Sequence, residues 1–264
     1  TFGVIFALSG VQAQERADVE QIEEILVIGQ KREQRIQAVG VSVTAFSADE
    51  IRELGFVNSI DIVGQTPNIG FGDGGEGIIN ILNIRGVSQN AFSMHQESPV
   101  AVYVDEAYLS FNSAQQFQLF DLERVEILRG PQGTLYGRNA TGGLIHYISK
   151  KPTADFEASL SAEIGEQGLW RVEGAVGGPL GSRVTGRLAA VSYGHDDFVS
   201  NLGPGGDFRG REESGVRGAL LIEPSDQMDI LFSVSHAENS LAYGYIHRSV
   251  GFDGDGRQFL IPAD

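Results

Sequence analysis

A chain of 264 residues is long enough for one or two domains with a real hydrophobic core, and its 35 glycines, roughly twice the usual ~7 % share, point to frequent turns rather than to disorder. Thirty-five acidic against 19 basic residues leave a formal charge of −16, which repels phosphate backbones and argues against nucleic acid as a partner. With no cysteine, disulfides, thiolate metal sites and a cysteine nucleophile are excluded.

Residues 1–13 hold an apolar run, Phe2 to Gly10, followed by Val11-Gln12-Ala13, the pattern of a signal-peptide h-region and its cleavage site. The chain therefore reads as starting inside a signal peptide. Residues 14–38 read as a mobile acidic tether. Within it Ile25-Leu26-Val27-Ile28, preceded by Glu24, is a β-prone tetrad between polar flanks. It suits strand addition to another protein's sheet edge, or pairing with this protein's own sheet.

Residues 39–152 read as an α+β domain. Strands are expected at Val41 to Phe46, Ile78 to Ile84, Val100 to Val104, Val125 to Leu128 and Leu144 to Ile148. A capping box at Ser47 to Glu50 opens a short helix that Gly55 can end. Gln115 to Leu122 is expected to be helical, with long loops at Gly70 to Gly77 and Ser88 to Ser98.

From residue 153 the pattern changes to long alternation. Phe156, Ala158, Leu160, Ala162 and Ile164 share one face, and Arg171 and Glu173 lie opposite Trp170 and Val172. Further strands are expected at Val184 to Tyr193, Val216 to Ile222, Met228 to Val234 and Leu241 to Arg248. Short turns are expected at Gly177 to Pro179 and at Glu223 to Asp226, with a longer connection from Gly194 to Glu213. Such strands are the signature of an outer-membrane β-barrel. Six cannot close one, for which about eight is the minimum, so the chain reads as truncated at its C-terminus as well.

No catalytic residues emerge. The Gly70 to Gly75 run lacks the following helix of a dinucleotide site, and Asp253 to Gly256 puts Arg257 where a calcium loop needs an oxygen ligand. No metal site and no covalently bound cofactor are expected.

The most specific stretch is Asp121 to Pro152, DLERVEILRGPQGTLYGRNATGGLIHYISKKP. Together with Ile84-Arg85-Gly86 and Pro99 to Leu109 it strongly resembles the plug domain of TonB-dependent outer-membrane receptors. Two positions depart from the usual pattern: His146 stands where Asn is common, and Glu106 where Gly is common.

That resemblance implies an α+β plug inside an antiparallel transmembrane β-barrel of about 22 strands, with only the first strands present here. It places the TonB box at Glu24 to Ile28 (Glu24, Ile25, Leu26, Val27, Ile28) and the plug motif and latch at Arg85, Gly86, Arg129, Gly130, Pro131, Gly133, Tyr136, Gly137, Gly142 and Gly143. The two arginines would need carboxylates from barrel strands beyond this sequence. The implied partners are TonB with its inner-membrane energising complex, the outer membrane of a Gram-negative bacterium, and a small-molecule ligand. A ferric siderophore chelate is the default, with cobalamin, heme or a glycan as alternatives. Phe92, His95, Gln96 and Tyr108, in outward plug loops, are the candidate ligand contacts. A passive porin and a secreted β-rich enzyme are the rival classes. The first lacks the plug motif, and the second needs a titratable cluster that the sequence does not show.

Overall fold

The computed structural model describes residues 26–27, 34–35, 40–73, 80–89, 96–197, 200, 207, 210–241, 250–252 and 258–260. At the N-terminus β1 (Leu26–Val27) pairs antiparallel with β2 (Gln34–Arg35). The α+β body follows. Strand β3 (Ser42–Ser47) leads into helix α1 (Ala48–Glu53), where the Glu50 amide donates to Ser47 Oγ at 3.3 Å and the Ser47 amide to Glu50 Oε2 at 2.7 Å. Both halves of the expected capping box are formed, and Gly55 (φ 68°) follows the helix in the left-handed conformation.

Helix α2 (Asp61–Gln65) precedes a three-stranded antiparallel sheet of β4 (Ile69–Asp73), β5 (Asn80–Ile84) and β6 (Val87–Ser88). Next come β7 (Val100–Val104), β8 (Ala107–Tyr108), a 3₁₀ turn (Asn112–Gln115), β9 (Leu122–Arg129), helix α3 (Gly133–Tyr136) and β10 (Gly143–Ser149). The main sheet has the order β3-β9-β10-β7-β8, with β10 and β7 parallel and the other pairs antiparallel. Its centre is covered on both sides. Val100, Val102, Val125, Ile127, Ile145 and Tyr147 pack with Ile62 and Ile84 on one face, and Ala101, Leu128 and Leu144 pack with Tyr136 and Ala140 on the other.

Five long strands form the second sheet, joined in sequence order as an up-and-down meander: β11 (Glu157–Ile164), β12 (Trp170–Gly181), β13 (Val184–His195), β14 (Arg211–Ser225) and β15 (Met228–Leu241). A short pair, β16 (Val250–Phe252) with β17 (Gln258–Leu260), completes the described residues. One face of the meander is apolar and open: Leu160 is 82 %, Ile164 91 % and Val234 76 % exposed. In water such a face would aggregate, whereas on a barrel it is the lipid contact. The other face carries Arg171, Arg187, Glu213 and Arg217, all buried.

Several expectations are corrected. Gln115 to Leu122 is not a helix: the Ser59 amide donates to Phe117 O at 3.0 Å and the Leu119 amide to Val57 O at 2.9 Å, so this stretch is held extended along 57–59, and Leu122 opens β9. The expected loop from Gly70 begins as strand β4, drawn into pairing by β5. Gly177 to Pro179 lies within β12. β11 pairs no further than Gly177, so Pro179, which lacks an N–H, sits where β12 has a partner on one side only, beside a register shift. The turns fall at residues 182–183 and 226–227. Of the sixth expected strand, Leu241 ends β15 and 242–248 lie outside the described residues, as do 1–25, 74–77, 90–95 and 253–257.

Candidate functional site

The α+β body meets the meander through one buried polar interface centred on Asp121. Its backbone is left-handed (φ 48°), a conformation that Asp tolerates better than most residues. Both carboxylate oxygens accept from Arg187 Nε, at 3.1 and 2.9 Å, and the terminal nitrogens of Arg187 and Arg217 also donate to this carboxylate. The Asp121 carbonyl accepts from Arg217 at 2.9 Å and from the Lys150 amide at 3.0 Å, and its amide donates to Glu173 at 3.0 Å. Arg217 also donates to Ser149 Oγ at 2.6 Å, and Arg187 to Glu157 at 3.1 Å.

A second set lies further along the same strands. Arg171 donates to Gln118 Oε1 at 2.9 Å, to Leu119 O at 2.7 Å and to Glu173 at 2.7 Å, while Gln118 donates to Glu213, which also pairs with Arg211. The four arginines of these strands are matched by Asp121, Glu157, Glu173 and Glu213, as buried charges require. Gly215 leaves room for Phe120, whose ring would lie 2.9 Å from an added Cβ.

The residues singled out from the sequence fall in three places. Leu26 and Val27 pair with the chain's own Gln34 and Arg35, and Val27 is fully buried; Glu24, Ile25 and Ile28 lie outside the described residues. Arg85 and Gly86 form the two-residue turn between β5 and β6, both at positive φ (55° and 79°), and Arg there is strained because such turns favour Asn-Gly. That turn sends the Arg85 guanidinium over Gly130, 3.5 Å from where a Cβ would stand. Arg129 donates to Pro67 O at 3.2 Å and to Thr44 Oγ1, and its pKa is lowered by burial and then by Arg85. The structure thus brings the two cations together, and neither has a carboxylate partner among the described residues.

The rest of the motif builds a closed loop, Gly130 donating to Gly142 O at 3.0 Å and Gln132 to Ala140 O at 2.8 Å, with exposed Pro131 and Gly133 at its rim and Gly137 at positive φ. Tyr136 is buried beneath it and its carbonyl accepts from Tyr103 OH at 2.8 Å. Of the candidate ligand contacts, Phe92 and His95 lie outside the described residues and Gln96 is exposed. Tyr108 is half-buried, its ring 5.5 Å from that of Tyr103 and its hydroxyl accepting from Asn139 at 2.9 Å, so it is engaged within the body.

The two departures noted in the sequence meet at one turn. Asp105, not Glu106, takes the positive φ (53°) between β7 and β8, so Glu106 fits without strain. The His146 ring contacts the Asp105 carbonyl through Nε2, and the Asp105 carboxylate accepts from the Ser149 amide at 2.8 Å.

An α+β body docked by a buried ion network onto the inner face of long, lipid-facing antiparallel strands defines a plugged barrel. Residues 35–144 match the family profile of the TonB-dependent Receptor Plug Domain. Over 213 residues, 79 % of this chain and 31 % of the relative, the chain is 28 % identical to the pesticin receptor of Yersinia pestis. It is 25 % identical over 188 residues to the vitamin B12 transporter BtuB of Photobacterium profundum, covering 71 % of this chain and 30 % of that protein. Among solved structures it is similar to the ferric yersiniabactin uptake receptor FyuA of Yersinia pestis (TM-score 0.68, 26 % identity, 76 % of this chain, 32 % of that one). The chain belongs to the TonB-dependent receptors, over the plug and the first strands of the barrel, and spans about a third of the length of these relatives.

Sequence reasoning missed the Asp121 network. Arg171 and Glu173 were legible as an inward face, and the same alternation marks Arg187 and Arg217. Asp121, the partner that Arg187 and Arg217 share, precedes β9 and is recognisable only once the sheets are docked.

Proposed function

We propose that this receptor carries a ferric siderophore across the outer membrane of a Gram-negative bacterium, with energy supplied through TonB. The carrying observation is the plug itself: a lumen that holds a folded domain by paired buried charges is not a passive pore, so passage requires the plug to move and work to be done on it. Similarity to a receptor named for ferric yersiniabactin uptake supports a ferric chelate, and similarity to BtuB supports cobalamin as the second reading. The buried charges are spent on one another, which favours a receptor over an enzyme.

In this reading Glu24 to Ile28 adds as a strand to a TonB sheet, main-chain hydrogen bonds carrying much of the affinity. Arg85 and Arg129 serve as a latch toward carboxylates of further barrel strands. The test is uptake by the full-length receptor, with and without TonB, of ⁵⁵Fe-labelled yersiniabactin, pyoverdine and a catecholate chelate, and of radiolabelled cobalamin. TonB-dependent uptake of an iron chelate is expected. Leu26→Pro should abolish that uptake while leaving surface binding intact, and a proline variant that transports normally would remove the strand-addition mechanism.

A further inference from the structure

The extended stretch 118–121 lies along the wall, and its four residues meet different partners. Gln118 and Asp121 join the polar networks, while Leu119 turns its side chain into the plug core and lends only its carbonyl to Arg171. Phe120 meets the wall with an apolar ring. Its place is made by Gly215, where a Cβ would stand 2.9 Å from ring Cε1, 3.2 Å from Cζ and 3.4 Å from Val191 Cγ1. The ladders set Val191 and Ala237 on either side of Gly215, so this row of the wall is a small apolar recess. The next inward residue of β14 in one direction is Glu213. In the other it is Arg217, whose guanidinium lies 5.6 Å from the ring centroid.

The polar contacts hold the plug without fixing its height. Arg171 and Glu173 stand two residues apart on β12, as Arg211 and Glu213 do on β14, so partners for an amide or a carboxylate recur at successive rows. The stems of Arg187 and Arg217 are long enough for their guanidiniums to follow Asp121 through one row, about 6.6 Å at ~3.3 Å per residue. The ring discriminates where these groups do not. Moved by one row, it would have to displace Glu213 or Arg217 instead of lying over a residue without a side chain. We infer that Phe120 in the Gly215 recess is a register key: it fixes the height at which the plug docks on the wall, and the charge pairs supply the hold. A single height keeps the outer loops of the plug level and the lumen shut, so the key serves the receptor whichever solute it carries.

The chain has no cysteine, and β11 supplies a ruler for the height of the plug. Ser159, Ser161 and Glu163 are successive inward positions of β11, and with Arg52 of α1 they line a cavity of about 370 Å³ between plug and wall. In the full-length receptor Arg52→Cys is combined in turn with Ser159→Cys, Ser161→Cys and Glu163→Cys. The yield of coupling by a short bismaleimide is read for each rung, together with the denaturation midpoint. With Phe120 and Gly215 in place, coupling is expected at one dominant rung. Phe120→Ala should spread the yield over neighbouring rungs, about 6.6 Å apart. Phe120→Ala with Gly215→Leu, which moves the bulk from plug to wall, should return it to the first rung. A ring that only adds packing energy would lower the midpoint in Phe120→Ala and leave the rung unchanged, and that result overturns the inference. So does a double variant as scattered as Phe120→Ala, or even coupling across the rungs with the native ring. Gly215→Ala, whose methyl would crowd the ring at 2.9 Å, gives the same reading if Phe120→Ala assembles poorly: the dominant rung should shift or split, and an unchanged rung overturns the key.

Discussion

At the scale of single residues, Asp121 holds plug and wall together. Its side chain is 2 % exposed and those of Arg187 and Arg217 are 5 % and 7 %, so removing its charge leaves two guanidiniums buried without their main partner. Asp121→Asn keeps a residue that tolerates positive φ and isolates the charge. It should cost about 3–5 kcal/mol, measured as a lower denaturation midpoint and faster proteolysis of the plug in the full-length receptor. Tyr136 gives a pH dependence. Burial first, then the charges of Glu126 and Glu106, push its phenol up to about 12. Because the folded state holds this proton more tightly than the unfolded state, whose phenol loses it near ~10, the stabilisation is complete below that pH and is lost as pH rises toward about 12. Alkaline unfolding should be correspondingly shallower in Tyr136→Phe. Arg85, Gly86, Arg129 and Gly130 stood out in the sequence through the resemblance of their surroundings to the plug motif. Asp121 did not, since a lone Asp before a strand resembles any turn residue.

Among the elements, those with a local cause were the legible ones. The Ser47 to Glu50 capping box and the runs Val100 to Val104 and Leu144 to Ile148 carry their own periodicity and stop signals, and each forms where the sequence puts it. Residues 115–122 failed because their hydrogen-bond partners, Val57 and Ser59, are distant in sequence, and β4 failed because glycine hides a strand whose pairing comes from β5. Two substitutions test these causes. Ser47→Ala removes the side-chain cap and should cost ~1 kcal/mol, visible as faster hydrogen exchange in α1. Gly143 sits at φ 144°, and an added Cβ would lie 2.3 Å from the Leu128 carbonyl in the central ladder. Gly143→Ala should therefore cost ~1–3 kcal/mol in backbone strain alone and lower the amount of protease-resistant plug.

Across the whole molecule, the lipid-facing band reports how the strands lie in the membrane. On β11 the outward apolar residues centre on Leu160, and on β15 on Phe232. Following the ladders, Phe232 stands opposite Leu220, which faces Gly186, which faces Gly178, beside Phe156. The band thus slides by about 13 Å along the strands over about 19 Å across them, taking ~3.3 Å per residue and ~4.8 Å per strand. This is a tilt of about 35°, at the edge of the ~35–45° of outer-membrane barrels. It also predicts an arginine scan: Phe232→Arg should cost about 2–4 kcal/mol in folding into bilayers and His236→Arg about 0–1, whereas untilted strands would put His236 level with Leu160 and reverse the order. The tilt has a consequence for the shape of the rim. β14 and β15 run for 15 and 14 residues, while a tilted strand crosses a bilayer in about 9–11. The surplus lies at the end with the longer connections, where Glu212, Ser214, Glu238 and Ser240 replace apolar residues on the outer face. There the β13–β14–β15 ladder continues past the lipid as a three-stranded parapet, so a visitor from outside meets a stiff wall on this flank of the mouth, whose height is set by backbone pairing and not by the conformation of a loop.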